Sequence, residues 1–441
     1  MIRTRRSFFV WQGLLAVSLL LEGRPSSAIP VHPRKMASEL KIDSETIRVR
    51  LSNLGRVLVV KGEGLALSLA QKPEIGNVLA DEWLIDCKRS MLFDPATQRS
   101  RQIPKSGILI ESSSGVLSLN ERRFRDQVVI YPQGLRSPYD RSQRTNPECL
   151  VVNHINLERY LESVVNGEFN SQWADQAVEA QVIAARTYAL FQMNAMRKDR
   201  GKVYDVESTQ KDQVYLGLDR VDSKASEVVA RTRGLILSPK EGKGAIKAFY
   251  HASCGGTTIA PEQVWKTPFK GFPRGVRCGF CDRSPSYQWE YQLSFVELEK
   301  KLWNGIQKDS VNRKAWPKAY LESPSRWILS KVRALQEVTG PKTGRIEDLE
   351  FSFIDRENFS KQIKVVMNAY TARNWIDPAK LKSTWFQLST RGRSLAFEGK
   401  GSGHGVGMCQ WGAKAMGEKG FTRDQILLHY YPGVKIARIS R

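Results

Sequence analysis

In this 441-residue chain, the side chain best placed to do chemistry is Glu168, within Val164-Val165-Asn166-Gly167-Glu168-Phe169. Upstream, Leu157, Leu161, Val164 and Val165 recur at helical spacing, and Asn166-Gly167 reads as a helix stop. Downstream, Asn170 or Ser171 is expected to cap a second, alanine-rich helix. Glu168 would then sit on a tight connection between two helices, flanked by Phe169 and Trp173. Aromatic walls disfavour the anion, so the carboxyl can stay protonated and serve as a general acid. The plainer reading is a negative charge at a helix N-terminus.

Two glycine-rich loops offer further polar groups. One reads Tyr250-His251-Ala252-Ser253-Cys254-Gly255-Gly256; the other runs over 401–413 and has five glycines among its first twelve residues. Such loops let backbone approach a ligand closely. The second can present His404, Gln410 and Trp411, the indole being a common platform for a sugar ring. It is not a dinucleotide fingerprint, since no strand–turn–helix unit with a downstream acid follows.

The elements that position these groups read as an α+β chain: a β-rich N-terminal unit followed by a mixed α+β domain with a central groove. Short alternating strands are expected at 47–51, 57–60, 65–69, 107–110, 116–119 and 127–131, with turns at 62–64 and 113–115. Helices are expected at 223–232, 294–308 and 422–429, and strands at 346–353, 362–367, 383–389 and 394–397. The organisation is an export signal over 1–28, a linker over 29–45, a β-rich support or glycan-binding unit over 46–149, and the chemical domain over 150–441.

Residues 1–28 combine Arg3, Arg5 and Arg6, an apolar run and a Ser26-Ser27-Ala28 cleavage site. The paired arginines also fit a twin-arginine signal, and an uncleaved anchor stays open. The protein is therefore expected outside the cytoplasm, in the periplasm or cell-envelope space. Formal charge is +23, and removing the leader's four Arg and one Glu leaves about +20. That excess calls for an anionic partner. With an export signal present, wall polymers fit better than nucleic acid, which is not expected as a partner.

Taken together, these residues resemble the stage II sporulation protein D and amidase-enhancer family. The resemblance rests on 164–168 with 180–189, on Gln213-Val214-Tyr215-Leu216-Gly217, on 250–256, and on 403–413 with His429-Tyr430-Tyr431-Pro432-Gly433. It implies a lytic transglycosylase that cleaves peptidoglycan glycan strands, preferring strands stripped of stem peptides, and leaves 1,6-anhydro-N-acetylmuramic acid ends. Glu168 matches the family's catalytic acid/base. Arg186, Tyr188, Gln213, Tyr215, His251, Ser253, His404, Gln410 and Trp411 become candidate substrate-binding residues. The family's other name keeps a second reading open: a non-catalytic wall-binding protein that stimulates a separate amidase.

No cofactor is required by this chemistry. Sporulation members can carry zinc on cysteines just before the Gln-Val-Tyr block, but here that stretch holds Val206, Glu207 and Asp212. Instead, Cys254, Cys278 and Cys281 have the spacing of a structural zinc site with His251 as a fourth ligand. In an exported chain a disulfide between Cys278 and Cys281 is equally open. Cys87 and Cys149 are candidates for a bridge beside the β-rich unit, and Cys409 reads as a small buried residue.

Overall fold

The computed structural model describes residues 45–70, 72–132, 149–199, 201–270, 272, 274–335 and 344–439. The leader, and nearly all of the linker, lie outside them. The fold is α+β, with a β-rich N-terminal region.

One sheet dominates that region. From one edge its strands run Val206–Glu207, Thr46–Leu51, Leu150–Asn156, Gln127–Tyr131, Ile108–Glu111, Val57–Leu69, Lys72–Asp86, Met91–Asp94 and Arg99–Gln102. The sheet therefore takes strands from both sides of residue 150. Its positions Ile47, Val49, Val128, Ile130, Val151 and Ile155 join one apolar core; the first strand alternates buried and half-buried residues, whereas 128–130 and 151–153 are buried on both faces. Strands 57–60 and 65–69 are in fact one strand, Val57–Leu69. The turn expected at Gly62-Glu63-Gly64 is an irregularity in pairing between Lys61 and Leu65. Cys87 and Cys149 form a disulfide that links the end of Lys72–Asp86 to the start of Leu150–Asn156.

Three helices follow from this sheet. Helix α1 (Leu157–Glu168) begins at Asn156, whose side chain accepts the Glu158 and Arg159 N–H groups. Helix α2 (Asp175–Met196) is buried on nearly every side, because its small residues let two layers approach. Val178, Val182, Ala185 and Ala189 face the sheet's core, whereas Ala177, Ala180, Ile183 and Ala184 join a second core. That second core includes Phe249, Val406, Met408, Ile426, Leu427 and Tyr431. Helix α3 (Ser223–Arg231) is capped by Asp222 and packs on both α1 and α2. Ala174 precedes α2 with no side-chain cap, so neither Asn170 nor Ser171 caps it. Ser171 instead donates its hydroxyl to Asp222 at 2.7 Å.

A third apolar core lies within 289–397 and is covered by two three-stranded antiparallel sheets. Among the described residues no helix is long and apolar enough to cross a membrane.

Candidate active site

Glu168 is the last residue of α1, and Phe169, in extended conformation, caps the helix. Gly167 is thus helical and not a left-handed stop. Its small size has another cause: a Cβ there would lie 2.1 Å from the Val214 carbonyl oxygen. The turn after α1 is held by Asn166, which donates to Asp222 at 2.9 Å and accepts the Ser171 N–H at 3.0 Å. These bonds hold the end of α1 to the start of α3.

The half-buried Glu168 carboxylate accepts the Val214 N–H at 2.5 Å. Burial penalises its charge and lifts its pKa from 4.5 to about 7, although the Val214 bond pulls the other way. Near neutrality the group is therefore divided between acid and base. From the other side, Gln410 donates its amide to the Glu168 carbonyl oxygen at 3.0 Å. Gln410 opens the helix Gln410–Glu418, so the end of the second glycine loop is tied directly to Glu168.

An aromatic group begins at the residue after Glu168. Phe169 meets Trp173 edge-on at 4.4 Å, and Trp173 lies 5.4 Å from Trp411. Lys414 Nζ lies 5.4 Å and 5.5 Å from the centres of the two indoles. Trp173, Trp411 and Lys414 all keep part of their surface in solvent. Lys414 was absent from the sequence-based candidates; its position three residues after Trp411 on a helix was the available signal.

The glycine loops meet through a two-residue parallel pairing of Tyr250–His251 with Met408–Cys409. Gly407 is required there: it has φ +71°, and a Cβ would fall 2.0 Å from the Phe249 oxygen. His404 is half-buried, with its ring near Phe249, His251 and Trp265. Its Nδ1 accepts the Val406 N–H, and burial holds it well below its ordinary pKa, hence neutral.

Several candidate substrate residues are buried, and their polar groups serve the fold. Arg186 is fully enclosed; it clamps Glu158 with two bonds of 2.9 Å and 2.7 Å and donates to the Leu235 carbonyl. Tyr215 is 1 % exposed and donates to Asn153. Gln213, fully buried, accepts from Tyr160 and donates to Tyr250 and the Ala185 carbonyl. Tyr188 donates to Asp212 at 2.8 Å, and Asp212 also accepts from Gln192 and the Glu207 N–H. Ser253 and His251 are buried, the latter with Nδ1 against the Val406 oxygen. These residues, with buried Gln410, position the site; Glu168, Trp411 and His404 retain accessible surface. Asp212 is thereby committed to neighbours and offers nothing to a metal before the Gln-Val-Tyr block.

His251 is also not the fourth member of the cysteine group. The sulfurs of Cys254, Cys278, Cys281 and Cys409 all lie within 4.8 Å of one another. Cys278 and Cys281 are free thiols, not a disulfide.

The sequence of this chain is similar to several known proteins. Residues 145–238 match the SpoIID family, described as stage II sporulation protein. The chain is 28% identical over 407 residues to an uncharacterized protein of Brachyspira hyodysenteriae, covering 90% of this chain and 94% of that one. It is 28% identical to the amidase enhancer of Bacillus subtilis, covering 63% of this chain but only 40% of the enhancer. Stage II sporulation protein D of Bacillus amyloliquefaciens is also 28% identical, with 65% of this chain and 75% of that protein covered. Residues 145–238 are thus similar to the SpoIID family, and a larger part of the chain is similar to the amidase enhancer and to stage II sporulation protein D.

Proposed function

We propose that this protein acts on the cell wall as a peptidoglycan lytic transglycosylase, with Glu168 as its single acid/base. The observation that carries the reading is a carboxyl whose pKa burial lifts to about 7, in a residue whose backbone carbonyl is bonded to Gln410, the neighbour of Trp411. In the proposed reaction, Glu168 gives its proton to the glycosidic oxygen as the C1–O bond breaks. The carboxylate then takes the proton of the 6-hydroxyl on the same N-acetylmuramic acid, and O6 bonds to C1. The anhydro end forms, Glu168 regains its proton, and no water or second carboxylate takes part.

The partly exposed indoles supply a face for a sugar ring, and Lys414 beside them, paired with Glu418 on its own helix, adds positive charge that suits the lactyl carboxylate uncovered when a stem peptide is removed. Export is part of the same proposal, supported by the leader and by the Cys87–Cys149 disulfide. The test is mass spectrometry of peptide-stripped strands after incubation with purified protein: anhydro-ended fragments are expected. The similarity to an amidase enhancer supports a second reading, in which an amidase is the partner. Under it the protein would leave glycan strands uncut but raise the rate of an added amidase.

A further inference from the structure

We infer that Cys254, Cys278, Cys281 and Cys409 form a tetrathiolate zinc centre that locks the two glycine loops together behind Glu168. All four are buried, at 0 to 2 % exposure, and reach one point from three separate segments. Cys254 follows the strand Tyr250–His251, Cys278-Gly279-Phe280-Cys281 forms a loop before the strand Gln288–Ser294, and Cys409 precedes the helix Gln410–Glu418. A tetrahedral ion at ~2.3 Å from each sulfur would hold the sulfurs about 3.8 Å apart. The observed limit of 4.8 Å, and a Cys254–Cys281 separation of 3.4 Å, match a four-sulfur shell.

The surroundings fit thiolates. Backbone N–H groups point at sulfur from Gly256 to Cys254 at 3.3 Å, and from Cys254 and Gly412 to Cys409 at 3.3 Å and 3.4 Å. Tyr430 OH lies 3.1 Å from the Cys278 sulfur. The Arg345 guanidinium donates to the Cys254 carbonyl at 2.9 Å, placing a buried positive charge beside a centre whose net charge would be negative. Such orienting bonds are the second shell that a structural metal site needs. Binding would release a proton from each thiol that was protonated.

Redox logic points the same way. The chain holds one disulfide, so a compartment that oxidises Cys87 and Cys149 would also oxidise four clustered thiols unless something held them. A bound zinc ion does so. The centre also bears on the site, because Cys409 precedes Gln410, the donor to the Glu168 carbonyl.

The experiment is metal analysis of full-length protein purified without added metal, and it does not depend on cleavage activity. About one zinc per chain is expected, lost on treatment with a thiol-reactive mercurial. Cobalt substitution should give the intense visible bands of tetrahedral thiolate coordination. Cys278→Ser should lower zinc content severalfold. If that variant fails to fold, alkylation mapping of the native protein decides: all four thiols should stay unmodified until denaturant and chelator are combined. Metal-free folded protein, a disulfide among the four, or a cobalt spectrum with a nitrogen ligand would overturn the proposal.

Discussion

Gly167 and Val214 touch backbone to backbone: an added Cβ at Gly167 would lie 2.1 Å from the Val214 oxygen. The next residue, Glu168, receives the Val214 N–H. Two consecutive residues of α1 thus face the two polar groups of one residue, and this contact sets where the carboxyl sits. Gly167→Ala should therefore displace the 213–215 segment. We expect a loss of about 1–3 kcal/mol in chemical denaturation, as for overpacking against an unyielding wall, and a larger loss of activity than of helix content. Unchanged stability would mean that the contact yields.

A carboxyl whose pKa rises from 4.5 to about 7 makes folding pH-dependent. The folded state binds this proton more tightly than the unfolded one, so its favourable contribution is complete below about pH 4.5. It is lost as pH rises through 7. Glu168→Gln should consequently be more stable than the parent at pH 8, by about 1–3 kcal/mol, with the gap closing near pH 4.5. Thermal unfolding at the two pH values checks this. The cleavage rate should fall on the alkaline side with a midpoint near 7, where the acid form disappears.

Arg186 is expected to act through the fold alone. Removing it with Arg186→Ala leaves the Glu158 charge without its clamp, and about 3–5 kcal/mol of stability should go. Glycan affinity of the fraction that remains folded should stay within about twofold. A large rise in Kd without loss of stability would restore a substrate-binding role.

Trp411 should show the opposite pattern. Trp411→Ala should raise KM about five- to twentyfold, consistent with losing ~1–2 kcal/mol of ring and cation contact, while kcat changes less. Trp411→Phe should recover much of the affinity. Steady-state kinetics on defined strands separate the two parameters.

Much of the architecture was legible. The alternation over 47–51 and the apolar run over 127–131 become inner strands of the main sheet, and the 294–308 pattern becomes the helix Phe295–Lys308. Glycine was the usual source of error, because sequence does not say which of its properties is used. At Gly167 it is small size and not positive φ, and at Gly62 it lies within a continuing strand. Polar residues were harder to place from sequence. Arg186 and Gln213 look like ligand contacts in sequence, yet burial commits their hydrogen bonds to helices and carbonyls. Cys409 joins the other cysteines only through the pairing of Met408–Cys409 with Tyr250–His251, which lies more than 150 residues away.

The most direct test is mass spectrometry of peptide-stripped glycan strands treated with the parent protein and with Glu168→Gln. The substitution keeps the side chain's shape and an oxygen for the Val214 N–H but removes the transferable proton. The parent should produce 1,6-anhydro ends, and Glu168→Gln should reduce them by at least about a hundredfold while still binding the strands. Anhydro ends formed by Glu168→Gln at the parental rate, or by neither protein, would contradict a transglycosylase that uses Glu168 as its acid.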